Sequence, residues 1–288
     1  NDILEPLFYE GLGSERKDEI FSLLGCKIPF LNGGLFEPIK NYDWSQTEIT
    51  LSNDVFKKLI EVFDRYNFTV QEEDPEEKEI AIDPEMIGRV FENLLPENIR
   101  KSGGSFYTPR SIVNYMCEES IFYYLKENIK EKIDSVSLND FVCKTSFDIK
   151  KSSKIYSSAG LIDELLRKIK ICDPAIGSGA FPVSMMNLIV RLRMALSPCV
   201  ERKYKNSSYY FKKDCIQNSI YGVDVDDSAI EIAKLRLWLS LVVDEDDYEK
   251  IEPLPNLDFK IVQGNSLLET FENFKLGESI FENSEKTS

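Results

Sequence analysis

The run Ile171-Cys172-Asp173-Pro174-Ala175-Ile176-Gly177-Ser178-Gly179-Ala180-Phe181 constrains the fold more than any other stretch. It sets a carboxylate at a strand end, then a tight glycine turn, then a helix. The apolar residues before Asp173 read as the strand and Ala180 through Met194 as the helix. Glycine at 177 and 179 lets backbone approach a ligand that a Cβ would block, which is the geometry of a nucleotide-like cofactor site. A lone Gly-Xaa-Gly carries little weight, but two further clusters follow in order. Tyr221-Gly222-Val223-Asp224-Val225-Asp226 reads as a second short strand ending in acid, and Ile261-Val262-Gln263-Gly264-Asn265-Ser266 as a third with polar residues at its end. Strand, helix, insertion, strand, helix, strand is the alternation that produces an α/β fold with a parallel sheet and crossover helices.

With 288 residues, 42% of them apolar, the chain can bury one large core or two smaller ones. No apolar run approaches the ~20 residues of a membrane-spanning helix and no charged-then-apolar leader opens the chain, so no membrane partner and a cytoplasmic location are expected. The six cysteines are far apart with no Cys-x-x-Cys pair, which predicts reduced thiols and no metal site. Histidine is absent, so any chemistry must proceed without imidazole. The net charge of −15 argues against a nucleic-acid binder by composition. Much of it is local, in the runs Glu72 to Glu79 and Asp244 to Glu252, which read as solvated loops.

Residues 1–102 read as a mainly helical connector. In Asp83-Pro84-Glu85-Met86-Ile87-Gly88-Arg89-Val90-Phe91-Glu92-Asn93-Leu94-Leu95, Asp83 fits the N-cap and Pro84 the first helical position, with Ile87, Val90, Phe91 and Leu94 on one face. Leu31-Asn32-Gly33-Gly34-Leu35-Phe36 is a chain reversal between apolar segments. Gly103-Gly104 marks the boundary to a second unit, residues 103–288. Thr108 caps its first helix, Pro109 starts it, and Ile112, Val113 and Met116 begin an apolar stripe. Residues 131–165 are rich in Ser and Lys, lack periodicity and read as an irregular connection. Ser228 and Glu231 have the spacing of a capping box for a helix ending near Val243. That helix is apolar almost all round, which places it between the sheet and another layer.

A dinucleotide is the first candidate ligand, and the sequence departs from its fingerprint. Counting from Gly177, the third glycine position holds Pro182, and Asp224 lies further on than the expected ~20 residues. Asp173 stands where a pyrophosphate would pass and would repel it. S-adenosylmethionine carries a sulfonium and an ammonium and no phosphate, so a carboxylate at the turn suits it on Coulomb grounds. Asp224 can accept both ribose hydroxyls, and Asn265 offers a donor and an acceptor to an adenine edge.

The order Phe106-Tyr107-Thr108-Pro109, Asp173 to Phe181, Gly222 to Asp226 and Gly264-Asn265-Ser266-Leu267 resembles the gamma-class adenine-specific DNA methyltransferases. Ile28-Pro29-Phe30-Leu31-Asn32-Gly33-Gly34-Leu35-Phe36-Glu37, the Pro84 to Leu95 segment and Ala233-Lys234-Leu235-Arg236-Leu237-Trp238-Leu239 narrow the likeness to the large fused type IIG restriction-modification enzymes and related phage-exclusion methylases. The resemblance covers nearly the whole chain. It implies a truncated Rossmann-like methyltransferase core that binds S-adenosylmethionine and, in the full-length protein, modifies N6 of adenine in double-stranded DNA. By the same resemblance Tyr107 and Thr108 contact the methionine moiety, Asp173, Pro174 and Ala175 lie at its amino group, and Gly177 and Gly179 make room for it. Asp224 holds the ribose, Val225 packs on the adenine ring, and Asn265 with Ser266 reads the adenine amino group.

Enzymes of this class also need an Asn/Asp-Pro-Pro-Tyr/Phe loop to grip the amine of a flipped adenine, and no such tetrapeptide occurs in the chain. The family places that loop after the Gly264-Asn265-Ser266 strand. No catalytic residue is therefore assigned, and the chain is expected to be an inactive piece of a longer protein, which the initial Asn1 also fits. A nuclease ahead of it and a target-recognition domain beyond it belong to the implied architecture. One basic and aromatic stretch, Arg202 to Lys213, offers Lys203, Lys205, Lys212 and Lys213 to a DNA backbone; as a solvated insertion it needs no ligand. An exposed sheet edge in such a fragment predicts homodimerisation. Two alternatives share the cofactor turn: a methyltransferase acting on RNA or on a protein glutamine, and a non-catalytic scaffold that only binds the cofactor.

Overall fold

A computed structural model describes residues 3–14, 16, 20–28, 52–63, 108–129, 133–144, 148–200, 207–242, 257, 259–268, 270–271 and 274–275. Tyr107, Lys203, Lys205, the Leu31–Phe36 turn, the Pro84–Leu95 segment, Gly103-Gly104 and both acidic runs lie outside the described residues.

Three short strands, β1 (Ile171–Asp173), β2 (Ile220–Asp224) and β3 (Ile261–Gln263), form a parallel sheet in the order β1-β2-β3. The register pairs Ile171 with Ile220, Asp173 with Gly222 and Asp224 with Gln263. Each strand opens on isoleucine, and Ile220 and Ile261 are buried; each such side chain contributes ~1.5–3 kcal/mol by leaving water. Because the strands run the same way, the polar residues that follow each of them collect at one edge.

Among the described residues the longer helices of this part of the chain are α1 (Arg110–Asn128), α2 (Ser135–Cys143), α3 (Ala159–Lys168), α4 (Ala180–Leu196), α5 (Ser208–Asn218) and α6 (Asp227–Val242), of which α4, α5 and α6 pack on the sheet. The central one is α4, which packs on α1, α3, α5 and α6 and buries Met186, Ile189, Leu192 and Leu196 completely or nearly so. As its composition predicts, α6 lies against β2 and β3 on one side and α4 and α5 on another.

Inside this apolar packing sits Arg193 of α4, only 3% exposed. Its Nε donates to Asp163 of α3 at 3.0 Å, its Nη1 donates to Asp214 of α5 at 2.7 Å, and its guanidinium lies 4.5 Å from the Phe211 ring centroid. One side chain thus ties three helices together. Arg191, two residues earlier, donates to the carbonyls of Val142 and Lys144 and satisfies the end of α2.

The structure corrects several local expectations. Residues 131–165, expected to be irregular, hold α2, a helical turn at Lys154–Ser157 and most of α3. Asp134 caps α2 through Ser137 N–H and Ser153 caps the turn through Tyr156 N–H, so the Ser-rich composition marked helix starts rather than loop. Helix α1 begins at Arg110 with Pro109 at its boundary and no side-chain cap, so Thr108 does not cap it. Its buried stripe is Val113, Cys117, Ile121 and Leu125, while Ile112 and Met116 are 48% and 49% exposed. The cap of α6 is Asp226, whose Oδ1 accepts from Ser228 N–H at 2.9 Å. Glu231 pairs with Lys234 on the same helix instead of completing a capping box with Ser228.

The second half of the basic and aromatic stretch is not a solvated insertion. It forms α5, Phe211 is buried beneath Arg193, and Lys212 Nζ donates to the Ser240 carbonyl at 2.8 Å. In the first hundred residues the described parts are a short helical segment over Leu4–Leu12, a hairpin pairing Ile20–Phe21 with Cys26–Lys27, and a helix at Asn53–Phe63.

Replacing Arg193 with Leu leaves two carboxylates in a mostly dry site without their cation. Urea unfolding should show a loss of ~3–5 kcal/mol, the range for removing one partner of a buried ion pair. A loss below about 1 kcal/mol, the range of an exposed pair, would show that Arg193 does not hold the three helices together.

Candidate cofactor site

The site is built where β1 gives way to α4. Asp173 Oδ1 accepts from Ala175 N–H at 3.1 Å, a local turn that carries the chain off the sheet. Its other oxygen, Oδ2, is buried without a hydrogen-bond partner among the described residues. Burial pushes the Asp173 carboxyl above the usual carboxylate range; the Ala175 N–H opposes that shift and the Asp224 charge adds to it.

The chain then folds back over the sheet. Ile176 N–H donates to the Val223 carbonyl at 3.0 Å, and its side chain occupies the place a Cβ on Gly222 would take, 2.3 Å from Ile176 Cδ1. Gly177 and Gly179 both adopt left-handed backbone, φ +52° and +84°, and Gly179 N–H closes the turn onto the Ile176 carbonyl at 2.9 Å. The two glycines do different things. A Cβ on Gly179 would lie 3.1 Å from Ala233 Cβ of α6, whereas a Cβ on Gly177 would meet nothing within 4 Å. Gly179 lets a helix come close; the space over Gly177 is open.

Asp224, at the end of β2, joins the three strand ends. Its Oδ2 accepts from Gly177 N–H at 2.8 Å, its Oδ1 from Asp226 N–H at 3.0 Å, and its main-chain carbonyl from Gly264 N–H at 2.8 Å. Each carboxylate oxygen keeps acceptor capacity for a further donor. Beyond β3, Ser266 Oγ donates to the Pro174 carbonyl at 2.7 Å, and Asn265 Oδ1 accepts from Leu267 N–H at 3.0 Å. Val225, whose carbonyl accepts from Gln263 Nε2 at 3.2 Å, leaves its side chain 60% exposed at the same edge.

Asp173, Pro174, Ala175, Gly177, Gly179, Asp224, Val225, Asn265 and Ser266 thus come together at the carboxyl end of the sheet. Thr108 makes no hydrogen bond to this cluster among the described residues. The contacts between α1 and α4 run in opposite order, with Ser184 Oγ donating to Asn114 Oδ1 at 2.6 Å and Cys117 Sγ 3.9 Å from the Phe181 carbonyl. Cys117, rather than the start of α1, therefore lies beside the first turn of α4. Burial pushes its thiol up to about 11, with a small added effect from the Asp173 charge, so it is an inert packing group. Sequence reasoning assigned no role to Arg236 or Ser178. Arg236 Nη1 donates to Ser178 O at 2.7 Å beneath the glycine turn. An arginine within a helix apolar almost all round was the available signal, because a buried guanidinium needs a partner.

A parallel sheet whose strand ends carry an acid, a left-handed glycine turn, a second acid and an asparagine presents these groups at the edge where such sheets bind ligands. Residues 150–276 match the family described as MmeI, DNA-methyltransferase domain. The chain is 36% identical over 281 residues to a protein of Methanocaldococcus jannaschii named as a type II restriction enzyme and methyltransferase, covering 92% of this chain and 23% of that protein. It is 24% identical over 241 residues to DNA methyltransferase A of Bacillus subtilis, covering 83% of this chain and 23% of the relative. A solved structure of the type IIL restriction-modification enzyme MmeI in complex with DNA superposes with a TM-score of 0.54 at 14% identity over 92% of this chain and 32% of that one, a likeness of fold. The chain thus spans about a quarter of the length of these curated relatives. Residues 150–276 are an MmeI-type DNA-methyltransferase domain, and a type IIG-like restriction-modification methylase fits that assignment.

The half-buried Asp173 carboxylate generates a pH-dependent prediction. Its folded pKa lies above the unfolded value, so the folded chain holds the extra proton in the interval between them, and stability falls as pH rises through that interval. Asp173→Asn should melt higher than the wild type at neutral pH, with the gap closing as pH drops below the ordinary carboxylate range. Thermal denaturation across pH checks this; a lower melting temperature for the variant at pH 7 would contradict it.

Proposed function

We propose that residues 103–288 are the cofactor-binding part of a Rossmann-like methyltransferase core that takes S-adenosylmethionine, within a longer restriction-modification or phage-defence protein that methylates adenine N6 in double-stranded DNA. The observation that carries the reading is the orphaned, buried Asp173 Oδ2 beside open space over Gly177. An anionic acceptor without a partner fits the ammonium of S-adenosylmethionine and disfavours a pyrophosphate. Around it, Asp224 has capacity left for the ribose hydroxyls, the exposed Val225 offers an apolar face to the adenine ring, and Asn265 with Ser266, at the end of the neighbouring strand, would read the adenine edge. When bound, the cofactor supplies an electrophilic methyl group on sulfur. This chain's residues hold and orient it, and the aromatic loop that would receive a flipped adenine is not encoded in these 288 residues.

DNA is the proposed partner of the longer protein, supported by the names of its relatives. Lys203, Lys205 and Lys213 stay candidates for phosphate contact; Lys212, which donates to the Ser240 carbonyl, is assigned a structural role.

Calorimetric titration of the 288-residue chain should show one S-adenosylmethionine site, lost in Asp224→Ala and weakened about tenfold or more in Asp173→Asn, as expected for removing a charged hydrogen-bond acceptor. The same chain should transfer no methyl group to adenine-containing DNA. Absence of binding by a folded chain would sink the cofactor assignment, and methylation of DNA by this chain alone would overturn the assignment of the base-gripping loop to other residues.

A further inference from the structure

Arg236 lies mid-way along α6 and is 3% exposed, with Ala233 and Leu237 buried beside it. Its Nη1 donates to the Ser178 carbonyl at 2.7 Å and to the Ser178 hydroxyl at 3.2 Å, and its own carbonyl accepts from Ser240 Oγ at 2.8 Å. Ser178 is the one residue between the two left-handed glycines. A leucine or methionine would serve packing alone at such a position without the cost of burying a charge; among its contacts the guanidinium places two directed hydrogen bonds on a single residue of the turn.

We propose that Arg236 is a positioning residue for the cofactor turn, holding the Ser178–Gly179 peptide in one orientation. The inference rests on the S-adenosylmethionine reading of this site and deepens it. A trans peptide points its carbonyl and its N–H in opposite directions. Here the carbonyl is held by Arg236 and the N–H by the Ile176 carbonyl at 2.9 Å, so turning the peptide plane over breaks both bonds at once. With that plane fixed, Gly177 stays at φ +52° with its N–H on Asp224 Oδ2, and the space above it stays open. Ala233, one turn earlier on α6, lies against Gly179. Helix α6 therefore sets the height of the turn through Ala233 and its orientation through Arg236. The guanidinium is charged at every pH at which Asp173 titrates, so the clamp holds across that range.

The test compares Arg236→Met, Arg236→Lys and Ser178→Ala with the wild-type chain by two readouts. In the ligand-free chain, amide hydrogen exchange at Gly179 should quicken by about tenfold or more in Arg236→Met, as expected for the loss of a charge-assisted bond. Arg236→Lys, which keeps the charge but not the fork, and Ser178→Ala, which keeps the carbonyl bond, should fall between. In titrations, Arg236→Met should weaken S-adenosylmethionine by about tenfold or more. Adenosine, which lacks the methionine moiety that would lie over the turn and reaches it only through the Gly177–Asp224 bond, should lose several-fold less affinity than S-adenosylmethionine, and lysine should restore part of the loss. Unchanged Gly179 exchange, or equal proportional loss of both ligands, overturns the proposal. If the wild-type chain binds no S-adenosylmethionine, the functional reading fails while Gly179 exchange still decides the role of Arg236. Should the methionine variant fail to fold, the lysine and serine variants carry the same comparison.

Discussion

The Asp224 hydrogen bonds are the interaction on which the site depends. A three-stranded sheet with strands of three to five residues has little ladder to fix the loops at its edge. One residue at the end of β2 supplies what the ladder lacks, receiving N–H groups from the glycine turn after β1, from its own following turn and from the start of the loop after β3. The first two reach its carboxylate and are charge-assisted, roughly twice as strong as neutral bonds, while the third is an ordinary backbone bond to its carbonyl. The same carboxylate keeps the acceptor capacity that would meet a ribose, so the group that assembles the edge is also one that would bind there.

Two arginines do comparable work in the interior at different distances from the ligand space. Arg193 fastens α3 and α5 to α4 through two carboxylates and a ring, so the helical layer behind the sheet is held by ionic as well as apolar contact. Arg236 fastens α6 to the glycine turn through Ser178. In both cases the neighbouring packing is apolar, which makes the polar contact directional and costly to break. Asp173 is the contrary case. Its Oδ2 is buried without a partner among the described residues, a local loss of stability that a cationic ligand group would relieve.

Much of the site was legible in linear order because parallel strands carry their C-terminal residues to a common edge. Asp173, the two glycines, Asp224, Val225, Asn265 and Ser266 could be listed together before any contact was known, since each follows a short apolar run. Thr108 was read as a cap from its place before Pro109, yet local propensity says nothing of how α1 crosses α4, and the crossing places Cys117 beside Phe181 instead. The helices over 135–168 were missed because they are short and their Ser and Asp residues were taken for loop, when Asp134 and Ser153 serve as caps. Phe211 and Lys212 were read as exposed from the basic residues around them, but α5 turns them toward Arg193 and Ser240.

The sequence by itself determined the α/β alternation, the strand-end acids, the glycine positions and, through its family likeness, the methyltransferase class. These depend on properties that travel with each residue: backbone freedom at glycine, charge at aspartate, and the period of apolar side chains. The tertiary structure decided which nitrogens reach Asp224, that Asp173 keeps one oxygen without a partner among the described residues, that Gly177 faces open space while Gly179 faces Ala233, and that Arg236 lies under Ser178. Those outcomes are set by distances between segments far apart in the chain, which packing of α4, α5 and α6 on the sheet fixes and no local pattern encodes.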